Sequence, residues 1–299
     1  MKMNNEDLPR GIHRIRTIPD PLLGKLWNSI HVAESLKERL LSQAIVNFTV
    51  RRKITRDVLP LHGAILLVGA PGTGKTSLAR GLAHRTAETL KGANLKLLEV
   101  DPHTLTNAML GKSQKAVSEL FASTIAEYAM AGPTIVLLDE VETLAADRRK
   151  LSLEANPIDV HRATDAVLVQ LDMLAEDHPN LLFVATSNFP EAVDAAFTSR
   201  CDLVLTIPVP DRAGCERILV DCLQGLGKTF KAIGKLPDAE GFSKVVTEAE
   251  GLDGRALRKA VASAIAMDKN VALKPDELAL NDLRDALRSA QAGLKGEKK

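Results

Sequence analysis

Aromatic side chains are scarce in this chain: one Trp, one Tyr and seven Phe, 3% of 299 residues. So low a share argues against the stacked aromatic platforms that hold single-stranded nucleic acid. Cysteine is scarcer still. Cys201, Cys215 and Cys222 form no CxxC pair, so reduced thiols in a reducing cytosol fit better than disulfides or a thiolate metal site. An excess of either charge is also missing. Lys and Arg number 39 against 38 Asp and Glu, a net of +1, whereas a dedicated duplex-DNA binder carries a basic excess. No run reaches the ~18 to 20 apolar residues of a membrane span. The polar start MKMNNEDLPRG has no signal-peptide core, and a cytoplasmic location is expected. The sequence has no internal repeat and no low-complexity block.

What is present is ordinary in proportion, 45% hydrophobic and 26% charged, and regular in pattern. Residues 1–25, with Pro9, Pro19 and Pro21, read as an irregular arm. Leu36, Leu40, Leu41, Ala44, Ile45 and Phe48 then recur at helix spacing. Five short apolar runs follow: AILLV from Ala64, LKLLEV from Leu95, TIVLL from Thr134, LLFVA from Leu181 and LVLTI from Leu203. Each is strand-sized and almost continuously apolar, as strands covered on both faces are. Helical patterns separate them, among them Val117, Leu120, Phe121, Ile125 and Tyr128. Strands alternating with helices predict an α/β fold, a parallel five-stranded sheet with helices on both faces, over 26–210. After IPVPDR the strands stop, and the remaining patterns predict a small all-helical domain over 211–299.

The segment Gly69-Ala-Pro71-Gly72-Thr73-Gly74-Lys75-Thr76-Ser77 fits G-x4-G-K-T, after the first apolar strand and before a helix. That context is the one a phosphate-binding loop requires. Its glycines let backbone N–H groups approach phosphate oxygens, and the helix start adds favourable partial charge. Lys75 is expected on the β- and γ-phosphates of ATP, and the Thr76 hydroxyl on Mg²⁺. TIVLLDE ends in Asp139 and Glu140, 64 residues after Lys75. An acidic pair closing a strand is the expected companion of a phosphate loop, with Asp139 holding Mg²⁺ and Glu140 polarising the attacking water. Helix capping also accounts for the two acids taken alone.

Three further residues are weaker singly. Asn188, in VATSN, closes another strand, where its amide can orient the lytic water; a turn before Pro190 is the plainer reading of it alone. Arg200 lies in AFTSRCD. Arg255 lies in GLDGRALRKA, near the start of a helix in the second domain.

In this order, the phosphate loop, LLDE, ATSN, AFTSR and GLDGR resemble the AAA+ ATPases, over about residues 27–268. The resemblance implies a ring, commonly a hexamer, with ATP at the subunit boundaries. It implies that Arg200 acts on the neighbour's ATP as an arginine finger and Arg255 on the same subunit's ATP. It places Trp27, Ile30 and Val32 where the family lines its adenine pocket, although core packing explains them equally well. DEVETLAADR, HRATDAVLVQLDML, VATSNFPEAVDAAFTSRCD and GLDGRALRKA are similar to the pachytene-checkpoint group, which remodels HORMA-domain proteins. Only about 60 residues precede the phosphate-loop strand, so the chain looks like the compact bacterial members. Those are associated with HORMA proteins and cGAS/DncV-like nucleotidyltransferases in antiphage signalling. The implied activity is ATP-driven unfolding that parts a HORMA protein from its partner. The resemblance also implies that Met109 and Leu110 face a central pore and grip substrate, with Lys112 and Lys115 beside them. A second pore loop would fall near Arg148, Arg149, Lys150, His161 and Arg162. The rival classes are a nucleic-acid machine such as a clamp or helicase loader, a barely active ATP-binding scaffold, and a protease-coupled unfoldase.

Overall fold

The computed structural model describes residues 8–91, 94–102, 105, 112–146 and 157–296. Among them, the chain packs as two compact units. Residues up to Trp27, Glu34–Gly69 and Lys75–Thr206 form the first; Asn28–Ala33, Ala70–Gly74 and Ile207 onward form the second.

The first unit is built on a six-stranded sheet in the order β1-β3-β4-β5-β2-β6. The five apolar runs become β2 (Ala64–Val68), β3 (Leu95–Val100), β4 (Thr134–Leu138), β5 (Leu181–Ser187) and β6 (Leu203–Thr206), all parallel. Every residue of β2, β4 and β5 is buried, as their unbroken apolar character requires. The sixth strand is a departure from the sequence reading. Within the arm expected to be irregular, β1 (Ile12–Ile18) pairs antiparallel with β3. Its Ile12 and Ile18 are buried while His13 and Arg14 face solvent. Charge on an edge strand discourages pairing with other chains, and here it also masks the apolar alternation.

Among the described residues, helices α1 (Pro21–Asn28, up to Trp27), α2 (Glu34–Thr49), α3 (Lys75–Thr89), α4 (Lys112–Glu119), α5 (Ala126–Ala131), α6 (Pro157–Asp177) and α7 (Ala195–Ser199) belong to the first unit. A π-helical turn, Leu120–Ile125, joins α4 to α5. It buries Phe121, whose ring stacks on Phe183 of β5 with centroids 5.8 Å apart.

The second unit carries α8 (Arg212–Gly227), α9 (Phe242–Ala249), α10 (Gly254–Ala266), α11 (Lys269–Leu273) and α12 (Leu280–Gly296). Their apolar stripes meet in a core that includes Leu219, Leu223, Val245, Leu257 and Leu283. Asp211, Asp253 and Asp268 cap α8, α10 and α11 by accepting backbone N–H bonds. The cysteines are free thiols, and burial pushes Cys201 up to about 12 and Cys215 up to about 11. Thiols held protonated in this way are poor nucleophiles.

One buried cation ties the first unit together behind α2. The Arg51 guanidinium donates to Leu181 O at 2.7 Å, Ala175 O at 2.7 Å and Asn47 Oδ1 at 3.0 Å. Burial pushes its pKa down to about 10. Arg51→Met removes those bonds and leaves the carbonyls of α6 and β5 without this donor. We expect a loss of about 2–4 kcal/mol of stability, measured as a lower urea midpoint at unchanged slope.

Candidate active site

The register of the parallel strands assembles the site. Leu138 pairs with Ala185, and Val68 with Ser187. The residues that follow each strand, Asp139 after β4, Asn188 after β5 and Gly69 after β2, therefore leave the same edge of the sheet. Carboxyl ends of parallel strands are where such folds bind ligands.

Within the first unit, the predicted side chains converge. Lys75 Nζ donates to Gly69 O and to Asn188 Oδ1, both at 2.8 Å. Asn188 Nδ2 donates to Glu140 Oε1 at 3.3 Å. The Thr76 hydroxyl donates to Asp139 Oδ1 at 2.7 Å. These side chains thus form two short chains of hydrogen bonds at one strand edge. The amide of Asn188 therefore bridges the Lys75 ammonium and the Glu140 carboxylate through its two ends.

Two residues that the sequence reading passed over complete this arrangement. Thr186, fully buried in β5, donates to Asp139 Oδ1 and accepts from the Glu140 backbone N–H at 3.2 Å. Glu140 itself sits in the left-handed region, φ 52° and ψ 55°, a conformation with a penalty for a non-glycine residue. The Thr186 hydroxyl is one bond that holds it there. Glu142 Oε1 accepts the Asn188 backbone N–H at 3.2 Å. Both lie inside the quoted motifs, but only pairing β4 with β5 shows what they touch.

A cavity of about 240 Å³ opens beside Asp139 and Glu140, with His13, Arg80, Glu99 and Asp101 among its walls. It has room for several waters. Glu99 is buried and charge-paired: Arg80 donates to its Oε2 through Nε at 3.0 Å and Nη2 at 2.7 Å.

Arg200 is turned onto α6. Its Nε and Nη2 donate to the two oxygens of Asp172 at 2.8 and 2.7 Å, and Nη1 donates to Ala196 O. This fork-to-fork bond holds the Asp172 carboxyl below its ordinary value and raises Arg200. His62 Nε2 lies 3.6 Å from Asp172.

The second unit holds the other predicted groups. Gly72 and Gly74 take φ of +81° and +91°, which favours glycine. Each also lacks room for a side chain, Gly72 because of Asp253 and Gly74 because of Ile30. The Arg255 backbone N–H bonds to Gly72 O at 3.3 Å, and its side chain is exposed. Trp27, by contrast, belongs to the first unit and is buried against Gly81 of α3. Met109, Leu110, Arg148, Arg149 and Lys150 lie outside the described residues.

The model of the ATPase family associated with various cellular activities (AAA) matches residues 65–209. CD-NTase-associated protein 6 of Pseudomonas aeruginosa is 65% identical over 292 residues, which is 97% of this chain and 96% of that protein. The chain belongs to the AAA family of ATPases. As a member it binds nucleotide and hydrolyses ATP. The pachytene checkpoint protein 2 homolog of Xenopus tropicalis is 31% identical over 87% of this chain, which spans 65% of that relative's length. Among solved structures, C. elegans PCH-2 has the same fold at a TM-score of 0.74, with 23% identity, 97% of this chain covered and 77% of that one. A chain in the E. coli MS115-1 HORMA:CdnC:Trip13 complex has it at 0.73, with 19% identity, 92% of this chain covered and 94% of that one. No described helix is long and apolar enough to cross a membrane.

Two outcomes follow for this AAA ATPase. Thr186→Val keeps the shape and removes the hydroxyl, so turnover falls by roughly tenfold or more, ~1.4 kcal/mol of barrier, while ATP affinity stays near wild type; steady-state kinetics beside nucleotide titration will show the split. The Asp172 carboxyl is depressed below 3.8, so its share of stability is present above that value and is lost as pH falls through the lower folded value. Asp172→Asn should flatten the acid limb of the stability curve below about pH 4, read by denaturation at stepped pH.

Proposed function

We propose that this chain is an ATP-driven remodeller that acts on a HORMA-domain protein and parts it from its bound nucleotidyltransferase, in a CD-NTase antiphage system. The observation that carries the reading is the 65% identity to CD-NTase-associated protein 6 over nearly the whole of both chains. The fold shared with a chain of a HORMA:CdnC:Trip13 complex is consistent with it.

The roles in this reading are those the motifs suggest, and the hydrogen bonds among Lys75, Asn188, Glu140, Thr76 and Asp139 support it. Backbone N–H groups of residues 69–76 and the Lys75 ammonium hold the ATP phosphates. The Thr76 hydroxyl and the Asp139 carboxylate are hard oxygen donors already within hydrogen-bond reach of each other, which suits Mg²⁺. Bound there, that ion neutralises phosphate charge. Glu140 takes the proton of the attacking water, and Asn188 aligns Glu140 and Lys75 through its two amide ends. Ile30, set against Gly74, lines the adenine side; Arg255 reaches the phosphates of its own copy. Arg200 serves the ATP of the next copy in a homo-oligomeric ring, a hexamer in this reading. A finger supplied in that way makes turnover depend on assembly and is worth ~10³ to 10⁵ in rate. Met109 and Leu110 grip the substrate chain in the pore, where a flexible thioether suits an extended segment of any sequence. The work is done in the cytoplasm.

The test is ATP turnover by wild type and Glu140→Gln, with and without a HORMA protein closed on its partner, scored together with release of that partner. Stimulated turnover and release by wild type are expected, with nucleotide-bound complexes trapped by Glu140→Gln. Turnover indifferent to the HORMA complex but raised by DNA would replace this reading with that of a loader.

A further inference from the structure

Asp253 is a charge for which the hydrolytic chemistry has no use. It precedes α10 in the second unit, and its Oδ1 accepts the backbone N–H groups of Arg255 at 2.8 Å and Ala256 at 2.9 Å. The same carboxylate lies against Gly72 of the phosphate loop and fills the space a side chain there would need. Its place is set by the backbone rather than by a free rotamer. The Arg255 N–H bonds to Gly72 O, and Arg258 of α10 donates to Ser29 O at 3.0 Å. The first turn of α10 is thereby seated on both the loop tip and the 28–33 segment.

Capping alone does not require this charge. Asn and Ser cap a helix about as well as Asp. Phosphate loops and helix starts attract anions through their N–H groups. Here a fixed anion has taken two of those donors and stands beside the loop that receives phosphate. Like charges at this range repel, and the repulsion is screened by salt because Asp253 is only half-buried.

We propose that Asp253 sets the rate of nucleotide release, its carboxylate weakening the hold of the phosphate loop on the nucleoside diphosphate product. The inference rests on the reading of residues 69–76 as the nucleotide site. Asp253 becomes a tuning charge on the turnover cycle, acting through field rather than by contact with the reacting atoms.

The experiment follows mant-ADP dissociation by stopped flow in wild type, Asp253→Asn, Asp253→Ser and Lys75→Ala. Both Asp253 variants keep a side-chain cap, and thermal melting confirms that they fold. They should release mant-ADP about fivefold to tenfold more slowly at low salt, ~1 to 1.4 kcal/mol of added hold, with the gap narrowing as ionic strength rises. Release that is unchanged or faster in both, or slowed equally at every salt concentration, overturns the proposal, because a purely structural cap would not produce a salt-dependent gap. If Lys75→Ala binds mant-ADP as wild type does, the phosphate-loop reading itself fails, and the role of Asp253 with it.

Discussion

The parallel hydrogen-bond ladder joining β4, β5 and β2 is the constraint on which everything else rests. Its register sets Leu138 beside Ala185 and Val68 beside Ser187, so groups separated by more than a hundred residues in sequence emerge at one edge. The ladder is itself forced by the apolar character of these strands, which must be covered on both faces. Helices are the economical cover for parallel strands. The polar arrangement of the candidate site is thus a by-product of burying β2, β4 and β5. A slip of one residue in any of them would move Asp139 or Asn188 out of reach and turn its strand's side chains to the wrong faces.

At that edge the polar groups stabilise one another. Asn188 spans Lys75 and Glu140, one positive and one negative, and holds both through a neutral amide. Thr186 does the same for Asp139 and the strained Glu140 backbone. A neutral side chain thus links the groups at each of these junctions. Arg200 follows the other pattern, fully engaged by Asp172, and any role toward another copy's nucleotide must compete with or carry along that carboxylate.

Much of this was legible in the sequence because it is local. GAPGTGKTS between a strand and a helix, and TIVLLDE closing another strand, each carry their chemistry within ten residues. The five parallel strands are visible because runs so nearly apolar have few other places to go. The missed features are all relational. β1 was hidden by His13, Arg14 and Arg16, which interrupt its apolar alternation, and by the prolines around it. Thr186 and Glu142 lie inside the motifs, while their partners lie on a neighbouring strand or turn. Asp172 is an unremarked acid on α6 until Arg200 folds onto it. Asp253 sits in the quoted GLDGR, but nothing in that string says that its carboxylate meets Gly72. Trp27 was open to two readings, and it is buried against Gly81, where a helix lacks a side chain.

The antiparallel course of β1 has a practical side. Ile12 lies beside Val100, at the end of β3 that shares an edge with Leu138. Residues 8–11 therefore lie at the edge of the sheet that carries Asp139 rather than at its far side. A tag or a fused domain placed there is delivered next to the chemistry, tethered through a ladder that any pull along the strand would load in shear across all its bonds at once. Attachments after Gly296 leave from the other compact unit and load no strand, which makes that end the safer handle for immobilising or labelling the ATPase.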